Sequence, residues 1–228
     1  MHGAPLHDRQ FAYRKERSTV HALHYLVKGI EESLRNKEVA LCAFMDIEGA
    51  FDNTSHGAIE RALRDKGGNP DLCRWINGML RTRRVTARLG MSSVRVGTKR
   101  GCPQGGVLSP LLWTLVVDTL LKALEESGYE VIGYADDLVI MVRGRFIDVL
   151  EERMQVALNM VAKWCREQGL QISTRKCTVV PFTNKRNPGL RPLRLEGNEI
   201  PTAQEVKFLG VVLDRRLTWN PYINASIA

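Results

Sequence analysis

Three aspartates stand where a buried backbone does not ordinarily keep charge. Asp136 and Asp137 interrupt GYADDLVIMV (residues 133–142), which is otherwise almost wholly apolar, and Asp46 closes a second apolar run, EVALCAFMD (residues 38–46). If the two runs are neighbouring strands, three carboxylates converge at one edge of a sheet. Their mutual repulsion and desolvation require compensating cations. Neither motif contains a paired Arg or Lys, so hard divalent cations are the natural partner. Mg²⁺ takes a few carboxylates plus substrate phosphates rather than a full protein cage. Two such ions, roughly 3.5–4 Å apart, activate an attacking hydroxyl and stabilise a leaving oxygen in phosphoryl transfer. Taken singly, each motif has a plainer reading: ADDL suits a type I′ turn, and Asp46 suits a strand-end cap.

The elements that must position these residues are legible as pattern. Ser18 caps a helix in which Val20, Leu23, Val27, Ile30 and Leu34 keep helical spacing. The run ending at Asp46 reads as a strand covered on both faces. Two helices follow, one opened by Asn53 or Thr54, the next capped by Asn69 with Pro70 in its first turn. VTARLGMSSVRVGTK is a hairpin turning at Gly90–Ser93, and a long helix starts at Ser109-Pro110 and closes near Gly128. YEVIGYADDLVIMV is a second hairpin with Asp136 and Asp137 at or near its tip. A further helix runs from Phe146 to Gly169, and short strands including VKFLGVVL finish the chain. The order predicts an α+β sandwich, a largely antiparallel sheet covered by helices on one face.

The bulk composition agrees with an intracellular, nucleic-acid-facing protein. The chain has 228 residues, 44% hydrophobic, and a net charge of +8, which favours an anionic partner, nucleic acid before an acidic membrane. Its five cysteines are scattered without a CxxC pair, so no zinc spacing forms and reduced thiols are expected. The longest charge-free apolar run, residues 105–117, is too short to span a bilayer, and MHGAPLHDRQ has no signal-peptide core. Both ends read as cut from a longer polypeptide.

FMDIEGAFDN (44–53), RGCPQGGVLSPLLW (100–113) and YADDLVIMV (134–142) occur in the order of reverse-transcriptase palm motifs. With QFAYRKERSTVHAL before them and VKFLGVVLDRRLTW after them, the chain resembles the reverse transcriptases of non-LTR (LINE-type) retrotransposons. It is most similar to Jockey-like elements of arthropods and to type-one elements that insert into insect ribosomal genes. The resemblance covers nearly the whole chain. It implies a palm with part of the fingers: partial fingers at 1–37, palm at 38–203 with finger elements inserted at about 54–99, and the primer-grip segment and start of the thumb at 204–228.

The resemblance also implies roles. Asp46 and Asp136 match the shared metal ligands, with the Ile47 carbonyl as a further ligand and Asp137 assisting; the ions are two Mg²⁺, with Mn²⁺ as a substitute. Phe51 matches the aromatic gate that clashes with a 2′-hydroxyl, favouring dNTPs over rNTPs. Asp52 is a turn or cap residue, and Tyr134 packs beside the primer end. Gln104 and Gly105 lie at the incoming nucleotide, with Gly101 and Gly106 allowing close backbone approach. Lys176 approaches the triphosphate, and Arg14 matches a basic position of the fingers. Phe208, Leu209 and Gly210 match the primer grip. Ala12 and Lys15-Glu16-Arg17 depart from the family's pattern in the fingers loop. The basic tract 183–194 contacts phosphates or is simply a solvated loop.

The implied activity is RNA-directed DNA polymerisation on an RNA template from a DNA primer or target, using dNTPs, without a membrane partner, in nucleus and cytoplasm. The parent polyprotein would carry an endonuclease. The alternatives are a group II intron-type maturase, against which VVLDRRLTW argues, and a non-catalytic RNA-binding relic. A nucleotide cyclase is disfavoured because a GGDEF-type hairpin is absent.

Overall fold

A computed structural model describes residues 5–186 and 189–227. The central strand is β1 (Val39–Glu48). One of its edges pairs with β5 (Asp137–Gly144), which pairs in turn with β4 (Glu130–Tyr134). Its other edge pairs with β6 (Gln171–Ile172) and β7 (Thr178–Phe182), and every one of these ladders is antiparallel.

Strand β1 is apolar at nearly every position because both of its faces are covered. Val39, Leu41, Ala43, Met45 and Ile47 face a helical layer. That layer comprises α3 (His56–Asp65), α4 (Pro70–Arg81), α5 (Ser109–Glu126) and α6 (Ile147–Gln168). Ala40, Cys42 and Phe44 face the other way. There they meet α1 (Thr19–Arg35), through Leu26 and Ile30, and a hairpin of β10 (Glu205–Phe208) and β11 (Val211–Asp214). The antiparallel sheet and its helical layer follow the sequence reading. The second cover, α1 with the β10–β11 hairpin, is what the continuous apolar run of β1 demands.

Helix ends follow local chemistry. Ser18 Oγ accepts from the N–H of His21, Asn69 Oδ1 accepts from Asp71 with Pro70 behind it, and Gly169 ends α6 at φ 73°. Two expected boundaries move. Asn53 closes a separate single turn, α2 (Ala50–Asn53), and the cap of α3 is Ser55, whose Oγ accepts from Ala58 N at 3.1 Å. The hairpin of β2 (Arg84–Leu89) and β3 (Ser92–Gly97) turns on Gly90 and Met91 alone, because pairing persists to Leu89↔Ser92. A last two-stranded ladder, β8 (Leu193–Leu195) with β9 (Asn198–Ile200), and α7 (Asn220–Ile227) complete the elements.

The N-terminal segment is sewn onto this core at two places. Phe11 N donates to Gly133 O, and Gly133 N donates to Arg9 O, both at 2.9 Å, so the segment extends the sheet past β4. A Cβ on Gly133 would lie 3.0 Å from Leu121 Cδ1, so the glycine lets α5 pack closely on β4. Below it, the buried Asp118 accepts from His7 N at 2.5 Å and pairs with Lys66 at 2.6 Å and Lys122 at 3.2 Å. Removing the carboxylate from such a buried pairing leaves two ammonium groups uncompensated. Asp118→Asn should therefore cost about 3 kcal/mol in urea unfolding and raise amide exchange across residues 7–11. A change within ~0.5 kcal/mol would show that the segment is held by the sheet edge alone.

Candidate active site

The β4–β5 hairpin delivers the paired aspartates. Tyr134 pairs with Asp137, so Ala135 and Asp136 form a two-residue turn and Asp137 is the first residue of β5. Ala135 sits at φ 56° while Asp136 is not in the left-handed region, the φ signs of a type II′ turn rather than the I′ turn that ADDL suggests. A non-glycine residue at this φ is strained, and the surroundings hold it there. Trp113 Nε1, fully buried one helical turn after Ser109, donates to the Ala135 carbonyl at 2.7 Å. Ile47 N donates to the Asp136 carbonyl at 3.2 Å, which ties the turn to β1.

Register then brings the carboxylates together. Asp46 stands opposite Asp137 in the β1–β5 ladder, so their side chains share the face that carries Phe44 and Val139. Burial raises the Asp137 pKa to about 6, and the charges of Asp136 and Asp46 add to that rise while Lys176 opposes it. Lys176 is placed by the tight turn at Ser173–Cys177, and its Nζ donates to Asp46 Oδ2 at 2.9 Å. The ammonium is largely exposed, and the carboxylate beside it raises its pKa.

The donor set fits a hard divalent ion. Asp46, Asp136 and Asp137 offer only carboxylate oxygens, and the repulsion felt by Asp137 marks negative charge that one lysine leaves uncompensated. Among the described residues, no three His, Cys, Asp or Glu side chains are arranged to hold a metal ion, so the aspartates do not form a preassembled site. An ion here must complete its shell with oxygens from water or from a bound phosphate.

Around the carboxylates lie two aromatic rings that reading by motif assigns unevenly. Phe51 stacks edge-on between Tyr13 and Trp113, with centroids 6.4 Å away on each side. Tyr13 sits at φ 57°, half exposed; partial burial raises its phenol pKa, and the nearby charge of Asp136 adds to the rise. Sequence reasoning missed Tyr13 and the role of Trp113. The only signal was an aromatic in each of two quoted motifs, and nothing in their spacing says that the two meet across Phe51. Arg14, matched to a basic substrate-binding position of the fingers, turns back onto its own segment. Its Nη1 donates to the carbonyls of His7 and Gln10, at 2.6 and 3.2 Å, and braces the loop that carries Tyr13.

The loop before α5 packs against α2. Gly101 N donates to Thr54 O and Cys102 N to Phe51 O, both at 2.7 Å, and a Cβ on Gly101 would collide with the Asp52 carbonyl. The close approach made by Gly101 is thus to α2, and Gly106 likewise packs within its own loop against Pro103 and Ser109. Gly105, at φ 79°, faces open space, and Gln104 Nε2 donates to Asp52 Oδ2 at 3.2 Å. On the carboxylate-bearing face, Phe208 packs on Phe44 at 5.5 Å between centroids. That contact sets Leu209 and Gly210, the β10–β11 turn with both φ positive, on the same side of the sheet as Asp46.

The sequence profile described as reverse transcriptase (RNA-dependent DNA polymerase) matches residues 1–213. The chain belongs to the reverse transcriptase family. This reverse-transcriptase chain is 31% identical over 224 residues to the RNA-directed DNA polymerase from mobile element jockey of Drosophila melanogaster, covering 94% of itself and 24% of that protein. It is 29% identical over 215 residues to the Pol polyprotein of the type-1 retrotransposable element R1 of Bradysia coprophila, covering 93% of itself and 21% of that protein. The chain thus spans about a quarter or less of the length of these relatives. In fold it is similar to Candida tropicalis telomerase in complex with a TWJ fragment of telomeric RNA. The TM-score is 0.66 at 12% identity, over 94% of this chain and 34% of that one.

In this reverse-transcriptase palm, the raised Asp137 pKa has a thermodynamic sign. The native state holds the Asp137 proton up to about pH 6, whereas an unfolded aspartate releases it near 3.9. The native state therefore binds more protons across that window, and stability falls as pH rises from about 4 to about 6. Asp137→Asn should remove this slope. In EDTA at about pH 8 it should raise the unfolding midpoint by roughly 5 °C, measured by scanning calorimetry. An unchanged or lowered midpoint would mean that the carboxylates do not strain one another.

Proposed function

We propose that the chain is the RNA-directed DNA polymerase module of a non-LTR retrotransposon, extending a primer 3′-hydroxyl on an RNA template for target-primed insertion. The observation that carries this is the pairing of Asp46 with Asp137 beside Asp136, on the face shared with Phe208. In this reading residues 1–37 supply part of the fingers, 38–203 the palm with finger elements at about 54–99, and 204–228 the primer grip and the start of the thumb. The setting would be nucleus and cytoplasm. Among the described residues, no helix is long and apolar enough to cross a membrane.

Two Mg²⁺, or Mn²⁺ in their place, would be held by Asp46, Asp136 and Asp137, with the Ile47 carbonyl as a further ligand. When bound they supply Lewis-acid stabilisation of a pentavalent phosphorus centre. The chain's own groups do the positioning. Phe51, pinned between Tyr13 and Trp113, offers a flat ring under the sugar of the incoming nucleotide, where a 2′-hydroxyl would clash. Gln104 and Gly105 present an open backbone to that nucleotide. Lys176, whose Nζ already lies at Asp46, would meet a triphosphate held at the carboxylates. There it can stabilise pyrophosphate charge or donate a proton to it. The primer hydroxyl attacks the α-phosphorus, the bond to the bridging oxygen breaks, and pyrophosphate leaves.

The test is dTTP incorporation on poly(rA)/oligo(dT) with Mg²⁺, using the chain both alone and extended by flanking fingers and thumb polypeptide. The extended form should polymerise, the isolated chain weakly, and Asp136→Asn should lose at least about 10²-fold in rate. Activity that survives Asp136→Asn would move the catalytic centre elsewhere, and RNA binding without any turnover would favour the non-catalytic relic. Phe51→Ala in the extended form should raise rNTP use relative to dNTP by about tenfold or more, read by single-nucleotide incorporation. An unchanged ratio would make Phe51 a core aromatic only.

A further inference from the structure

The chain's entire excess of positive charge lies in one segment. No acidic residue occurs between Asp71 and Asp118, and residues 72–117 carry eight arginines and lysines, a number equal to the net charge of +8 of the whole chain.

The β2–β3 hairpin sorts much of that charge onto one face. Its register places Arg84, Thr86 and Arg88 opposite Gly97, Arg95 and Ser93, on the same side of the ribbon. The other side is Val85, Ala87 and Leu89 opposite Val96, Val94 and Ser92. Every residue of both strands is exposed. The basic face is one wall of a cleft of about 520 Å³, where Arg84, Arg95 and Gly97 confront Arg81, Thr82 and Arg83 at the end of α4.

Apart from Arg81, whose Nη2 lies 3.8 Å from a Glu60 carboxylate oxygen, these guanidinium groups are not spent on carboxylates. Among the described residues, Arg84, Arg88 and Arg95 have no acidic partner within 4.0 Å, and Arg83 donates only to the Gly101 carbonyl, at 2.8 Å. The contrast is with the basic tract 183–194, where Arg191 pairs with Glu151 at 2.5 Å and Arg194 with Glu199 at 2.8 Å. Residues 187 and 188 of that tract lie outside the described residues. Uncompensated like charges crowded diagonally on one face weaken a hairpin, so the cluster at β2–β3 calls for an anion from outside.

Spacing decides which kind of anion. Arg84 and Arg88 are roughly 13 Å apart along β2, and Arg95, opposite Thr86, falls midway, giving steps of about 7 Å. A compact phosphate cannot meet all three, whereas a chain of phosphates can. Guanidinium groups line both walls of the cleft, Arg81 and Arg83 on one and Arg84 and Arg95 on the other. Trp75, well exposed on α4, lies two helical turns before Thr82 on the same face and offers a ring for an unstacked base.

We propose that this cleft grips the backbone of single-stranded RNA, independently of sequence, at a site separate from the carboxylates. The proposal rests on the polymerase reading in naming that strand as RNA and as template. The hairpin is rooted beside Phe51 and Gln104 through the Ser55↔Arg100 bridge and the Cys102–Phe51 hydrogen bond, so a strand leaving the cleft is already near the nucleotide position.

The experiment is fluorescence anisotropy of a labelled oligo(rA) of about 20 nucleotides with the whole chain in EDTA, over roughly 50 to 200 mM KCl. EDTA keeps the outcome independent of the metal reading. Arg84→Gln/Arg95→Gln should weaken binding about tenfold at 100 mM salt, and should make the slope of log K against log salt shallower by about 1.4, or 0.7 per lost contact. Arg84→Lys/Arg95→Lys should keep the parental slope, and unchanged circular dichroism would exclude misfolding. An unchanged slope in the glutamine variant overturns the proposal. So does an equal loss on a blunt duplex of the same length, which would make the cleft a duplex platform.

Discussion

The register of β1 against β5 places two aspartates opposite each other across an antiparallel pair, with a third in the adjoining turn. Like charges so placed repel, and burial makes the repulsion stronger. Everything near them can be understood as holding that arrangement in place. Trp113 clamps the strained Ala135, Ile47 N–H holds the carbonyl of Asp136, and Lys176 contributes one opposing charge. A one-residue slip of the ladder would turn Asp46 into the apolar layer under α3 to α6, so the fully apolar alternate residues of β1 also guard the register. The cost is paid in stability at neutral pH, as is common at functional sites.

The two covers of the sheet divide the work. The helical layer buries one face completely and carries Trp113 to the back of the aspartate turn. The other cover stops short of the carboxylates. There α1 and the β10–β11 hairpin seal the distal half through Leu26, Ile30 and Phe208, while Asp46 and Asp137 remain at the open end of the same face. Charge is divided as well. Internal arginines such as Arg143 are matched to Glu32 and Glu130, whereas those of the β2–β3 hairpin are exposed and, among the described residues, have no carboxylate partner.

Much of this was legible in the sequence, for physical reasons that differ by element. The strand ending at Asp46 showed itself because burial on both faces leaves an unbroken apolar run, and α4 and α6 showed themselves through Asn69-Pro70 and Gly169. The aspartates stood out because charge inside such runs is expensive. What stayed hidden depended on tertiary contact. Tyr13 and Trp113 meet across Phe51 from segments 100 residues apart, and no local pattern encodes that. Arg14 looked like a ligand by position, yet it satisfies the carbonyls of its own loop. Gly101 and Gly105 read alike in sequence, and only the fold shows that one is packed on α2 while the other is open.

Mn²⁺ binding followed by electron paramagnetic resonance, with a dNTP present and at about pH 5.5, below the Asp137 pKa of about 6, tests the carboxylate cluster most directly. The metal-site account predicts that the whole chain binds Mn²⁺ at least about tenfold more tightly than Asp46→Asn, and that binding releases a proton as the raised Asp137 pKa falls. Equal affinity in the two proteins, with no proton released, would contradict it.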